Sequence, residues 1–139
     1  MPNVQMCGFL YTGADLCGFG YDTTPDLALR WLEFGILTPL MRNHSSSGTR
    51  AQEYYQFEDE LPAIRKMLQL RYALLPLPLQ RVHEGGAGKR LLLPAAGLDY
   101  PGDPDAREVQ DQLLLGEGLM AAPVYTRTPT AGWSTCPNP

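Results

Sequence analysis

Three side chains with binding or acid–base chemistry lie near the ends of two short apolar runs in the first half of the sequence. Asp15 follows the apolar residues 3–11, and Arg42 and His44 follow the apolar residues 36–41. A carboxylate and a guanidinium form charge-assisted hydrogen bonds, and an imidazole N–H can donate to a hydroxyl. If the two runs are adjacent parallel strands, all three side chains emerge at one rim, where Asp15 and Arg42 can hold two loops together. The alternative for His44 is a capping or packing role.

The residues between the two runs predict a helix. Thr24 is a suitable N-cap, Pro25 suits the first helical position and Gly35 suits the end. Apolar residues at helical spacing, Leu27, Trp31 and Phe34, predict its core-facing stripe, with Ala28 and Leu32 beside it. Strand, helix and strand in this order indicate a parallel βαβ unit of an α/β fold, in which ligands bind beyond the carboxyl ends of the strands.

The second half of the chain changes in character. A helix is expected over residues 60–76, ended by Pro76 and Pro78, and a glycine-rich linker over 84–88. Beyond the linker we expect a turn and then several short strands of an all-β unit. The turn lies at 100–105, and the strands lie at 91–93, 113–116 and 119–124. The expected organisation is therefore an α/β part over residues 1–86, a β part over 87–127 and an irregular tail over 128–139.

Composition excludes several classes of function. The chain has 139 residues, 44% of them hydrophobic, and a net charge of −4. Its 11 basic residues are scattered, which argues against nucleic acid as a partner. No apolar run is long enough for a transmembrane helix, so no membrane association is expected. The first 15 residues contain no Lys or Arg. This argues against a secretory signal and points to the cytoplasm, although a truncated chain would have lost such a signal.

Neither the cysteines nor the histidines form a metal-binding pattern. The three cysteines are widely spaced and odd in number, which predicts free thiols rather than a disulfide framework or a zinc site. Two histidines are too few for a multi-histidine centre. We therefore expect no metal and no cofactor.

The fold that these elements predict is incomplete. Two strands and two helices do not close a parallel sheet, and a barrel of this kind needs eight βα units and about 250 residues. Strands buried on both faces also need partners on both sides. We therefore expect a chain that is cut at both ends.

Further candidates for chemistry are one aromatic ring and a group of acids. Phe19 could stack on the apolar face of a sugar or pack in the core. The acids that follow the second loop are Glu53, Glu58, Asp59 and Glu60. They are expected to be solvated residues at a helix start. A glycosidase pair with Asp15 would need carboxylates about 5–5.5 or 6.5–9.5 Å apart, and no pattern in the sequence selects one.

Several segments resemble the motifs of glycoside hydrolase family 31, in the same order along the chain. Residues 13–19 (GADLCGF) resemble G-A-D-I-C-G-F, and residues 39–44 (PLMRNH) resemble P-F-x-R-N-H. The later matches are 50–53 (RAQE) with R-x-Q-E, 70–76 (LRYALLP) with L-R-Y-x-L-L-P, 101–104 with P-x-D-P, 111–116 with D-x-Q-F-M-L-G and 121–124 with V-A-P-V. The agreement spans about residues 8–125.

The resemblance implies a fold and a substrate class. It implies the last two βα units of a (β/α)8 barrel followed by the start of a β-sandwich domain. Family members are retaining α-glucosidases and α-xylosidases, so the expected partner is an α-glucoside or oligosaccharide. Asp15, Phe19 and His44 match positions that line the −1 sugar subsite, and Arg42 matches a supporting position at the same rim.

This sequence also departs from the family pattern. The family's nucleophile lies in a W-x-D-M-N-E segment and its acid/base in a G-D-N segment, and neither motif occurs here. Retaining hydrolysis needs both carboxylates, so we expect no catalytic residue in this chain and no activity from it alone. Tyr54 and Tyr55 replace the usual Pro-Trp, Leu92-Leu93-Pro94 replaces M-R-P, and the sequence beyond Tyr125 is unlike the family. Two interpretations remain: a fragment of an α-glycosidase, or a non-catalytic carbohydrate-binding or interaction protein.

Overall fold

The computed structural model describes residues 2–9, 11–86 and 91–124. Its helices are α1 (Pro2–Met6), α2 (Pro25–Gly35), α3 (Leu61–Leu74), α4 (Pro76–Gly86), α5 (Ala96–Asp99) and α6 (Pro104–Glu108). Two 3-10 turns, Tyr54–Gln56 and Glu58–Glu60, precede α3. The strands are β1 (Gly13–Leu16), β2 (Leu40–Asn43), β3 (Leu113–Leu115) and β4 (Leu119–Ala121). The predicted irregular tail, 128–139, lies outside the described residues.

The predicted βαβ unit is present. Strands β1 and β2 pair in parallel, with Gly13 opposite Leu40 and Leu16 opposite Asn43, and α2 connects them. Thr24 caps α2 as expected, since its hydroxyl accepts a hydrogen bond from the Leu27 backbone N–H at 3.2 Å.

The core lies between this strand pair and the helices. It contains Leu16, Cys17, Ala28, Leu32, Ile36, Phe57 and Ile64. On α2 the buried positions are Ala28, Leu32 and Gly35, while Leu27 is 39% exposed. Ala28 and Leu32, which were predicted beside the stripe, are therefore more deeply buried than the stripe itself, although Trp31 does pack against the core. Gly35 brings this face of α2 against the Leu16 side chain.

Both predicted strands were placed too early. Of the residues predicted as a strand over 3–11, the described ones, 3–9 and 11, form none: α1 occupies Pro2–Met6, and Gly8 at φ 95° follows it. A proline at the first position and a glycine beyond the end are helix signals, which the apolar composition concealed. The strand predicted over 36–41 begins at Leu40, because Ile36 and Thr38 still donate to the carbonyls of Leu32 and Gly35.

The expected helix over 60–76 is α3, which ends at Leu74 before the two prolines as predicted, but a further helix, α4, begins there. Pro76 is the first residue of α4 and Pro78 the third. The first turn of a helix has N–H groups without an intrahelical acceptor, so prolines there lose no hydrogen bond. Residues 84–86 of the expected linker belong to α4, and residues 87–90 lie outside the described part.

The later half contains fewer strands than expected. Residues 91–93 form no strand; Leu92 and Leu93 are buried in irregular chain. The strands expected at 113–116 and 119–124 are present as β3 and β4, which end at Leu115 and Ala121 and pair in antiparallel fashion. The expected turn over 100–105 runs into α6, which Asp103 caps by accepting from two backbone N–H groups. The described chain is thus a mixed α/β structure, in which no helix could span a membrane.

Candidate functional site

The ends of β1 and β2 bring Asp15 and Arg42 together, as the strand order predicts. The two residues are register partners. Arg42 Nε donates to Asp15 Oδ1 at 2.7 Å, and Arg42 Nη2 lies 2.5 Å from the same oxygen. Both contacts converge on Oδ1, so within the described residues Oδ2 of Asp15 carries no hydrogen bond. The guanidinium therefore orients the carboxylate and leaves one oxygen available.

A sharp turn follows β1. Cys17 and Gly18 have φ values of 74° and 83°, the left-handed region that costs a non-glycine residue about 1 kcal/mol or more. The turn buries the Cys17 side chain and carries the following Phe19 outward, where it is 45% exposed.

Phe19 and His44 lie against each other, although they follow different strands. Their ring centroids are 5.4 Å apart at an interplanar angle of 41°. Ser46 N–H donates to the Phe19 carbonyl at 2.9 Å, which ties the two loops by their backbones. The structure therefore brings all four predicted positions to the carboxyl ends of β1 and β2: Asp15, Phe19, Arg42 and His44.

A cavity of about 320 Å³ borders this rim. It is lined by Asn43, His44, Ser45, Gln52, Glu53 and Tyr54. Gln52 is 3% exposed and shares hydrogen bonds with Asn43, while its Oε1 has no partner among the described residues. The rim thus has a polar wall beside the Phe19–His44 pair.

The sequence interpretation assigned no role to Arg50 or Gln52, and the structure shows that both fasten the loop after β2. Arg50 donates from its backbone N–H to Asp22 Oδ1 at 2.7 Å and from its guanidinium to the Thr23 carbonyl. The R-x-Q-E motif was the available signal, but a motif alone does not reveal which backbone groups it contacts.

Behind the site, the Cys17 thiol faces the Tyr54 hydroxyl, with Sγ and Oη 4.0 Å apart. Burial raises the pKa of Cys17, opposed by this hydrogen bond. Burial also raises the pKa of Tyr54, and the neighbouring Cys17 raises it further. Both groups are therefore held in their neutral, protonated forms.

The loop acids contribute no cluster to this rim. Glu53, Glu58 and Asp59 are exposed, and Glu60 is half-buried at the start of α3. In the described part of the chain, no three His, Cys, Asp or Glu side chains are grouped so as to hold a metal ion. The chemistry of the rim is thus that of the Asp15 carboxylate with its Arg42 guanidinium, the His44 imidazole and the Phe19 ring, and Glu53 lines the adjoining cavity.

Parallel strands with polar side chains beyond their carboxyl ends define a ligand-binding edge of an α/β fold. The family description "Glycosyl hydrolases family 31 TIM-barrel domain" matches residues 1–79. The chain belongs to glycosyl hydrolase family 31.

Known relatives support this assignment over most of the chain. The lysosomal alpha-glucosidase of Bos taurus is 38% identical over 121 residues, which are 86% of this chain and 13% of that protein. The DNJ-bound alpha subunit of glucosidase II has a TM-score of 0.87 at 29% identity, covering 93% of this chain and 14% of the other. A Flavobacterium johnsoniae family 31 dextranase complexed with glucose has a TM-score of 0.74 at 31% identity, with coverages of 81% and 14%. The chain thus spans about one seventh of the relatives it matches.

Proposed function

We propose that this chain supplies part of the terminal-sugar (−1) subsite of an α-glucosidase-type retaining glycosidase and does not hydrolyse the sugar by itself. The observation that carries the proposal is the joint placement of the Asp15–Arg42 ion pair and the Phe19–His44 ring pair at one strand edge. The names of the relatives support the substrate class: an alpha-glucosidase and a dextranase solved with glucose. The substrate is an α-glucoside or an α-xyloside.

Each side chain has a distinct role in this proposal. Asp15, oriented by Arg42, accepts hydrogen bonds from sugar hydroxyls through Oδ2. His44 donates a ring N–H to a hydroxyl, and Phe19 offers its exposed ring to the apolar C–H face of the sugar. A hydrogen bond to a charged group contributes about 1.5–3 kcal/mol, so Asp15 is the strongest of the three contacts.

The chemistry of hydrolysis belongs to carboxylates outside this sequence. A retaining glycosidase needs a nucleophile and a separate acid/base, one on each side of the scissile bond. Asp15 is committed to Arg42, and the sequence has neither family motif for these two groups. The proposal therefore assigns binding, and not bond cleavage, to these residues.

Proton NMR of the two histidines tests the binding role. His44 lies at the proposed subsite, and His83 lies exposed on α4, which makes it an internal control. Glucose should shift the imidazole resonances of His44 in a saturable manner and leave those of His83 in place. The substitution Asp15→Asn, which keeps the shape and removes the charge, should weaken this response. A His44 spectrum that is indifferent to glucose contradicts the proposal.

An assay with p-nitrophenyl α-glucoside tests the second half of the proposal. The purified 139-residue chain should release no more p-nitrophenol than buffer, while the Bos taurus enzyme serves as a positive control. Turnover that copurifies with the chain and disappears in Asp15→Asn would show that cleavage does occur here. Sugar binding without turnover also fits the non-catalytic binding protein, and the two interpretations then differ only in whether further chain is attached.

A further inference from the structure

Gln52 lies behind the rim and reaches back to both strands. Its side chain is almost completely buried, at 3% exposure. Nε2 donates to the Leu16 carbonyl at 3.3 Å and to Asn43 Oδ1 at 2.9 Å. In return, Asn43 Nδ2 donates to the Gln52 carbonyl at 2.8 Å. One amide side chain thus binds the last residue of β1 and the last residue of β2.

The orientation of the Gln52 amide follows from its partners. The Leu16 carbonyl can only accept, and the Asn43 amide presents its oxygen because its nitrogen is engaged with the Gln52 carbonyl. The side-chain nitrogen of Gln52 must therefore face both acceptors. A carboxylate or an apolar side chain at this position could not make the same contacts.

These bonds lie at the point where the two loops begin. Leu16 and Asn43 are register partners, and the next residues are Cys17, in its left-handed turn, and His44. The preceding register pair is joined by the Asp15–Arg42 ion pair, whose arginine side chain is 54% exposed. Water and salt screen an exposed ion pair, but not a buried amide. The Gln52 hydrogen bonds therefore hold the ends of the two strands together independently of ionic strength.

We propose that Gln52 is a positioning residue: it fixes the ends of β1 and β2 so that His44 is held against Phe19 in the geometry for sugar contact. The inference rests on the proposed function for the sugar contact itself. The alternative is that Gln52 only stabilises the fold, and it predicts a loss of stability without a change in how His44 faces Phe19.

Aromatic ring currents report this geometry directly. Because the ring centroids of Phe19 and His44 are 5.4 Å apart, the chemical shifts of the His44 ring protons should differ from those of His83 in the sugar-free protein. Gln52→Met, which keeps the length and removes the hydrogen bonds, should abolish this difference while far-UV circular dichroism and the His83 signals stay unchanged. Gln56→Met is the matched control, since Gln56 is exposed on the 3-10 turn only four residues away. Gln56→Met should leave the ring-proton signals of both histidines unchanged.

Hydrogen exchange of the side-chain amides can be measured in the unmodified chain, so this second test does not depend on whether a variant folds. Hydrogen bonds at Nε2 should slow exchange of the Gln52 carboxamide protons by about tenfold or more relative to those of Gln56. Equal exchange of the two glutamines, or His44 signals that are unmoved in a folded Gln52→Met protein, would overturn the positioning role. If both results are as expected but the His44 signals do not respond to glucose, the proposed function is contradicted and the positioning role of Gln52 stands.

Discussion

Asp15 and Arg42 are directly opposite each other in parallel strands and meet through one carboxylate oxygen, with Arg42 Nε and Nη2 at 2.7 and 2.5 Å from Asp15 Oδ1. The arrangement is not the fork in which a guanidinium engages both oxygens of a carboxylate. Its consequence is a carboxylate that is oriented through Oδ1, while Oδ2 has no hydrogen bond among the described residues.

Removal of the Arg42 guanidinium should affect the stability of the protein only slightly and its response to glucose more strongly. The pair is partly exposed, so Arg42→Met should lower the free energy of unfolding by no more than about 1 kcal/mol. The glucose response of the His44 signals should weaken more clearly, because Asp15 loses its orientation. Urea unfolding and histidine NMR measure the two effects.

Arg30 provides the matched control. It pairs with Asp26 and Glu33 on α2, at an exposure similar to that of Arg42. Arg30→Met should cost comparable stability and leave the glucose response intact. Equal loss of the response in both variants would show that the Arg42 effect is not specific to Asp15.

Close contact of the strands depends on Gly13. A Cβ at this position would lie 2.3 Å from the Leu40 carbonyl oxygen and 2.6 Å from Leu40 Cβ. Since a backbone atom cannot move aside as a side-chain end can, Gly13→Ala should destabilise by about 1–3 kcal/mol. The measurement is the urea midpoint. Gly102→Ala, where a Cβ meets nothing within 4 Å, should change it little; similar losses in both variants would argue against the close approach.

The pH dependence of stability should report the Cys17–Tyr54 contact. Burial raises both pKa values, so the folded state favours the protonated forms. The resulting stability is fully present below the unfolded pKa of the thiol, about 8.5, and falls as pH rises through the folded pKa. Unfolding measured under reducing conditions should therefore show an alkaline decline that is shallower in Cys17→Ala.

Cys7 serves as the comparison for this prediction, because it is exposed. Cys7→Ala should leave the alkaline decline as steep as in the unmodified chain. A decline of equal slope in Cys17→Ala would mean that other groups cause it.

Arg71 on α3 secures the connection between α2 and β2. Its Nη1 donates to the Ile36 carbonyl at 2.7 Å, and Nη2 lies 3.5 Å from the Pro39 carbonyl. Arg71→Met leaves these carbonyls without their donor and should cost about 1–3 kcal/mol. Thermal or urea unfolding measures this loss of stability. The control is Arg65→Met, on the exposed side of α3, which should have only a small effect. Equal losses of stability in the two variants would contradict the prediction.

The strand order and the rim could be predicted from the sequence because they depend on local signals. Thr24, Pro25 and Gly35 mark the ends of α2, and a helix between two short strands leaves parallel pairing as the ordinary outcome. The Asp15–Arg42 contact follows from that pairing. The sugar-binding role of Asp15, Phe19 and His44 stays a prediction.

The positions of the strands could not be predicted in the same way. Strand β1 begins at a glycine and contains an aspartate, two residues that strands usually avoid. Its place is set by the close approach of Gly13 to Leu40 and by the packing of Leu16 on Gly35, contacts between residues far apart in the chain. The Gln52 hydrogen bonds could not be predicted from the sequence for the same reason, because they join residues that are up to 36 positions apart.

The bonds between Asn43 and Gln52 also close the intervening loop at its base, with the two residues nine positions apart. A loop whose ends are held by their own hydrogen bonds can change length without moving the strands that carry it. Doubling a flexible loop costs only about 0.6 kcal/mol in closure entropy. Insertions at the exposed Ser47–Gly48 tip should therefore be tolerated, so that the loop can grow outward from the binding edge while Asn43 and Gln52 keep its base closed.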